Sequence, residues 1–140
     1  MRDHIKLASI VGTFGLLVAA NVMAQTYSAA RGAFDGTYRL VSSQNLTPTY
    51  VTRQGGTRSC PETSAGPLTI AQGQASYTTG SGRQLAGTVN PQGEIAMRLT
   101  QPGEGRTLEV QVGGTVDGVG TARAHQRGNS CSYYFTWQKQ

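Results

Sequence analysis

Catalysis, metal binding and crosslinking in this 140-residue chain must draw on a short roster once the first 24 residues are set aside: Cys60, Cys131, His125 and the carboxylates Asp35, Glu62, Glu94, Glu104, Glu109 and Asp117. Two thiols far apart in a chain with an export signal point to a disulfide, Cys60–Cys131, which would close a loop of about 70 residues and stabilise the fold by roughly 4 kcal/mol. Zinc takes four ligands, commonly in close-spaced pairs, whereas here there is no CxxC and His125 is the only other soft ligand, so no metal site is assigned. Any Ser-His-Asp or Cys-His arrangement must use His125. That residue lies between Arg123 and Arg127 towards the end of a strand and reads as a surface position. Glycoside hydrolysis needs two carboxylates facing across a cleft, but Glu94, Glu104 and Glu109 fall on outer faces or turns. Asp35 and Asp117 each precede a glycine, which is turn chemistry. Gly113-Gly114 and the GxG spacings lack the strand-to-helix context of a phosphate cradle. The chain is therefore read as a non-enzyme, with no catalytic residue and no cofactor.

Residues 1–24 have the layout of a cleavable signal peptide. Arg2 and Lys6 make a basic start, an apolar stretch runs from Leu7 to Ala20, and Val22-Met23-Ala24 supplies the small residues of a cleavage site. The stretch is shorter than the roughly 20 apolar residues a spanning helix needs and is interrupted by Ser9, Gly12, Thr13 and Gly15. Export to the periplasm or the external medium is the expectation. Residues 25–35 read as a flexible leader and 36–140 as a single domain.

From Gly36 onward the elements that must position these residues are strands. Cys131, Tyr133, Phe135 and Trp137 alternate with Ser132, Tyr134 and Thr136; Ile95, Met97 and Leu99 alternate with polar neighbours, as do Leu108, Val110 and Val112. This two-residue period is that of antiparallel strands with one buried and one wet face. Eight strands are expected at about 36–43, 66–71, 74–79, 83–90, 93–100, 106–112, 115–125 and 130–138, with Gly113-Gly114 as a tight hairpin and Asn90-Pro91-Gln92-Gly93 as a type I turn. An alternative turn at Asp117-Gly118 would split the seventh segment. The long connection 44–65 is expected to hold a further short strand around Tyr50-Val51-Thr52. Asn45-Leu46-Thr47 matches a glycosylation sequon and, with Pro48 next, is read as a chance match.

Sequential antiparallel strands avoid exposed edges by closing, so the expected fold is an all-β meander of about eight strands forming a closed or nearly closed β-barrel, first strand on last. A two-sheet β-sandwich is the alternative. A Cys60–Cys131 bridge would fasten the closing seam. The opening Phe34-Asp35-Gly36-Thr37-Tyr38 followed by the meander resembles, in style of architecture alone, the lipocalin, avidin and related inhibitor barrels, and no specific motif of those families is present.

Beyond residue 24 the net charge is +4, carried by nine arginines and Lys139 with no run of neighbours, and this dispersal argues against nucleic-acid binding. It reads as a solvated surface, with attraction to anionic lipid, glycan or polyacid as the alternative. Arg39, Arg98, Glu109 and Gln111 on outward faces exclude membrane insertion of the mature domain as a lipid-facing barrel. Inward Tyr38, Tyr77, Tyr133, Phe135 and Trp137 either fill a narrow barrel or line a ligand pocket. The expected role is a binding module for a small apolar or aromatic ligand or an exported protein partner. The alternative is inhibition of an exported enzyme such as a protease or lysozyme, and a hydrolase is the weakest reading.

Overall fold

The computed structural model describes residues 32–62 and 65–140, so the expected signal peptide, most of the leader and Thr63-Ser64 lie outside the described residues. The elements of the described chain are ten strands: β1 (Gly36–Asn45), β2 (Thr49–Val51), β3 (Thr57–Ser59), β4 (Leu68–Ala71), β5 (Gln74–Thr78), β6 (Gln84–Val89), β7 (Glu94–Pro102), β8 (Thr107–Val116), β9 (Thr121–Arg127) and β10 (Ser132–Lys139). Eight of them close an antiparallel barrel in the order β1-β10-β9-β8-β7-β6-β5-β4, and β2 and β3 pair as a separate two-stranded sheet. β1 makes the seam, pairing Tyr38–Asn45 with β10 and Gly36–Tyr38 with β4. Closure leaves no sheet edge in the barrel, which removes the usual route to edge-on aggregation.

The two-residue rhythm has its physical counterpart inside. Tyr133, Phe135 and Trp137 of β10 point inward and are almost fully buried, with Tyr38, Leu68, Ile70, Tyr77 and Leu85 packed into the same core. Phe135 stands beside Ala124 and Trp137 beside Ala122 in the β9–β10 register. The small side chains of β9 thus make room for the large rings of β10, which is how a narrow barrel reaches native packing density. Tyr77 lies edge-on to Phe135 at 6.2 Å between ring centres and 5.2 Å from Trp137, while the Trp137 indole donates to the Gly66 carbonyl at 3.0 Å.

One expected turn is displaced. Gly113-Gly114 is no hairpin; β8 continues through both to Val116, pairing Gly113 with Ala96 and Gly114 with Ile95. A Cβ at Gly114 would overlap the Arg123 carbonyl and the Ala124 backbone, so glycine here permits close strand approach in place of chain reversal. The reversal falls at Asp117–Gly120. There Asp117 Oδ1 accepts from the amides of Val119 (3.1 Å) and Thr121 (2.9 Å), and Gly120 takes a φ of +84°. The turn Asn90–Gly93 is built alike: Gly93 N donates to Asn90 O at 2.9 Å, and Asn90 Oδ1 accepts from Gln92 and Glu94. Side-chain acceptor first and glycine fourth is the residue logic these reversals require.

Strand direction gives the barrel two unlike ends. The turns 72–73, 90–93 and 117–120 gather at one end with the start of β1. This end is shut: Phe34 packs on the core, the Tyr38 hydroxyl donates to the Phe34 carbonyl at 2.7 Å, and Asp35 accepts from the Gln72 amide at 2.9 Å. The other end gathers the connections 46–67, 79–83, 103–106 and 128–131.

Candidate functional site

At that second end the β2–β3 hairpin is tied over the barrel rim. Cys60, just past β3, is disulfide-bonded to Cys131 at the head of β10, across a sequence separation of 71 residues. The bridge spans from the long connection to the β9–β10 turn and so holds the hairpin against the seam. Polar bonds reinforce it. The Tyr133 hydroxyl donates to the Pro61 carbonyl at 2.7 Å, and Asn45 Nδ2 donates to the Cys60 carbonyl at 3.2 Å while its Oδ1 accepts from the Thr47 amide. The Asn45 amide, read from sequence as a chance sequon, therefore works as a strut under the hairpin.

Two adjoining hollows open beside this tether. A pocket of about 260 Å³ lies over the barrel mouth, with Tyr133, Val110, Leu108 and Gln126 below and Arg83, Arg106 and Ser81 at its edge. A broader groove of about 710 Å³ runs under the hairpin, lined by Tyr50, Thr52, Arg53, Gln54, Arg58, Arg106 and Ser130. Tyr50, Arg106, Asn129 and Ser130 border both, so the two form one continuous surface. The floor of the smaller pocket is mainly apolar and carries one buried polar group: Gln126 accepts the Tyr77 hydroxyl at 2.6 Å. Burial alone pushes the Tyr77 phenol above its ordinary range, so it stays a neutral donor. Asn129 braces the rim, donating to the Thr107 carbonyl and accepting from the Glu109 amide.

Of the five aromatics expected either to line a pocket or to fill the barrel, Tyr38, Tyr77, Phe135 and Trp137 lie in the packed interior, and Tyr133 alone borders the mouth pocket. The residues that dominate the site were not singled out in sequence: Tyr50, Arg53, Arg58, Arg83 and Arg106. Dispersed along the chain, these arginines fall in connections that the up-and-down topology stacks at one end. No Asp or Glu lines either hollow, and none of the four arginines has an ion-pair partner among the described residues, whose ion pairs are Arg98–Glu109 and Arg123–Asp117 on the outer wall and at the closed end.

The groups considered for catalysis stay apart. Asp35 and Asp117 hold turn amides at the closed end. Glu109, whose carboxyl is held below its ordinary range by hydrogen bonds from Gln111 and Arg98, faces outward. His125 is half-buried on the outer wall of β9, its Nε2 enclosed without a hydrogen-bond partner among the described residues. No group of three or more metal-ligating side chains converges among the described residues, and no helix there is long and apolar enough to cross a membrane. Comparison with protein-family models, with curated proteins and with solved structures finds no match for this chain.

Proposed function

We propose that this chain is an exported binding module that takes its ligand at the open end of the barrel. The observation that carries the reading is the asymmetry of the ends: one is plugged by Phe34 and tight turns, while the other holds a disulfide-tethered hairpin over a continuous hollow. Tethering fixes the hollow before a ligand arrives, so little ordering entropy opposes binding. The disulfide fits an oxidising compartment, in keeping with the signal-like N-terminus. An outer wall carrying Arg39, Arg98, Glu109, Gln111 and Arg123 supports a water-facing barrel. The scattered placement of His125 and the carboxylates supports a non-catalytic role.

Native mass spectrometry of the protein from its own host tests this. The expected result is a chain lacking its first 24 residues, oxidised at Cys60–Cys131 and carrying a ligand that departs on denaturation. A full-length reduced chain would overturn export, and a bare mature chain to which nothing from its compartment binds would overturn the binding role.

The second reading, an inhibitor of an exported enzyme, has one observation in its favour: the tethered hairpin presents Val51 at 72% exposure, as a rigid inhibitory loop would. Unchanged protease and lysozyme activity at saturating protein would remove it.

A further inference from the structure

From the groove's lining we infer that the ligand of the open end is an anionic polysaccharide, one whose sugars bear carboxylates, bound along the surface between the β2–β3 hairpin and the β7–β8 turn. This deepens the binding-module reading and rests on it. Arg53, Arg58 and Arg106 line the groove, Arg83 stands at the adjoining pocket, and none is neutralised by an ion pair among the described residues. The connections at this end carry only Glu62 and Glu104 as carboxylates, and neither lines the hollows. Guanidinium groups recognise carboxylates through paired, charge-assisted hydrogen bonds, so an unpaired cluster facing one hollow is complementary to repeated carboxylates.

The remaining lining chooses among anionic partners. Gln54 and Ser130 have side chains with no hydrogen-bond partner among the described residues, and half-buried Tyr50 offers part of a ring. Neutral donors and acceptors beside one aromatic face suit sugar hydroxyls and a pyranose ring. A protein partner needs a broad apolar centre to desolvate, whereas the groove supplies only Tyr50 and Val51, and of the adjoining pocket's apolar residues Val110 and Tyr133 are already buried in the barrel. A lipid surface would call for a broad apolar face, whereas the groove is concave and polar. Its openness at the surface admits a chain passing through, in contrast to an enclosed chamber for one small molecule.

The test is an amide chemical-shift titration of the oxidised protein with a short oligogalacturonate. Its fully methyl-esterified form, poly-glutamate and phosphatidylglycerol vesicles serve as comparison probes. Saturable shifts confined to residues 50–58, 106–107 and 129–130 are expected, with binding weakened by added salt and absent for the ester. R58A/R106A should weaken binding roughly tenfold, R58K/R106K less, and R39A, on the outer face of β1 towards the closed end, not at all. An unaltered spectrum outside the groove certifies that each variant is folded. Equal binding of the ester, tighter binding of poly-glutamate or vesicles, or equal loss in R39A would overturn the polysaccharide assignment. If all four probes fail while another ligand shifts the same amides, the polysaccharide inference falls and the binding end stands; shifts confined to the closed end would sink both.

Discussion

Tyr77 and Gln126 form the only hydrogen bond between two fully buried side chains among the described residues, and its loss should be costly from either side. Gln126→Leu strands a buried hydroxyl and Tyr77→Phe strands a buried amide oxygen; each is expected to lower unfolding free energy by about 1–3 kcal/mol in urea melts. The pair also sets an alkaline limit. The folded pKa of Tyr77 stands above its ordinary 10.0 because burial disfavours phenolate, so its contribution is complete below about pH 10 and is lost as pH rises further. Stability measured from pH 8 to 11 should therefore fall above pH 10 in the native protein and fall less in Tyr77→Phe; an identical alkaline limb in both would contradict this. Tyr77 is legible as an inward aromatic because it stands two residues from Ala75 on the same strand face, whereas Gln126 is concealed in sequence as a polar residue continuing the inward series Ala122, Ala124. Polar residues at apolar positions are easily passed over when the pattern is read only for hydrophobic side chains.

Strands are where the sequence spoke most plainly, and adjacent glycines are where it misled. Gly113 and Gly114 carry the composition of a tight turn, yet they lie mid-strand because β7 pairs past them and the Asp117 carboxylate organises the reversal beyond. Their environments differ sharply: an added Cβ meets nothing within 4 Å at Gly113 and collides with the β9 backbone at Gly114. Gly114→Ala is expected to cost roughly 2–3 kcal/mol through forced strand separation, and Gly113→Ala to be neutral or stabilising by up to about 1 kcal/mol; equal effects in thermal melts would refute this account of β8. The tethered hairpin has its own prediction. Cys60→Ser with Cys131→Ser should lower stability by about 4 kcal/mol in the chain-entropy picture. Because the bridge sits at the rim, hydrogen exchange in the double variant should quicken first at residues 48–60, with the barrel strands following only near global unfolding. Uniform acceleration would mean that the bridge supports the barrel as a whole.

At the scale of the whole molecule, the closed barrel was readable because short connections force sequence neighbours to pair and eight strands without a protected edge must close. The arginine-lined end was not. Nine arginines scattered over residues 31–127 look like a solvated surface until strand directions are counted. In an up-and-down barrel alternate connections share an end, so Arg53, Arg58, Arg83 and Arg106 are remote in sequence and near one rim in space. That parity already follows from the eight expected strands, since shifting the reversal from Gly113-Gly114 to Asp117–Gly120 leaves the count unchanged; the cluster stays hidden because the arginines share an end of the barrel and no stretch of sequence. The central claim is that ligand meets this rim and no other part of the barrel. It is tested most directly by hydrogen exchange of the oxidised, host-exported protein with its co-purified ligand, compared with the same protein after ligand removal. Protection on binding should appear at residues 49–58, 79–83, 104–108 and 128–131 and leave the turns at 72–73, 90–93 and 117–120 unchanged; protection centred on those closed-end turns, or none anywhere, would contradict it.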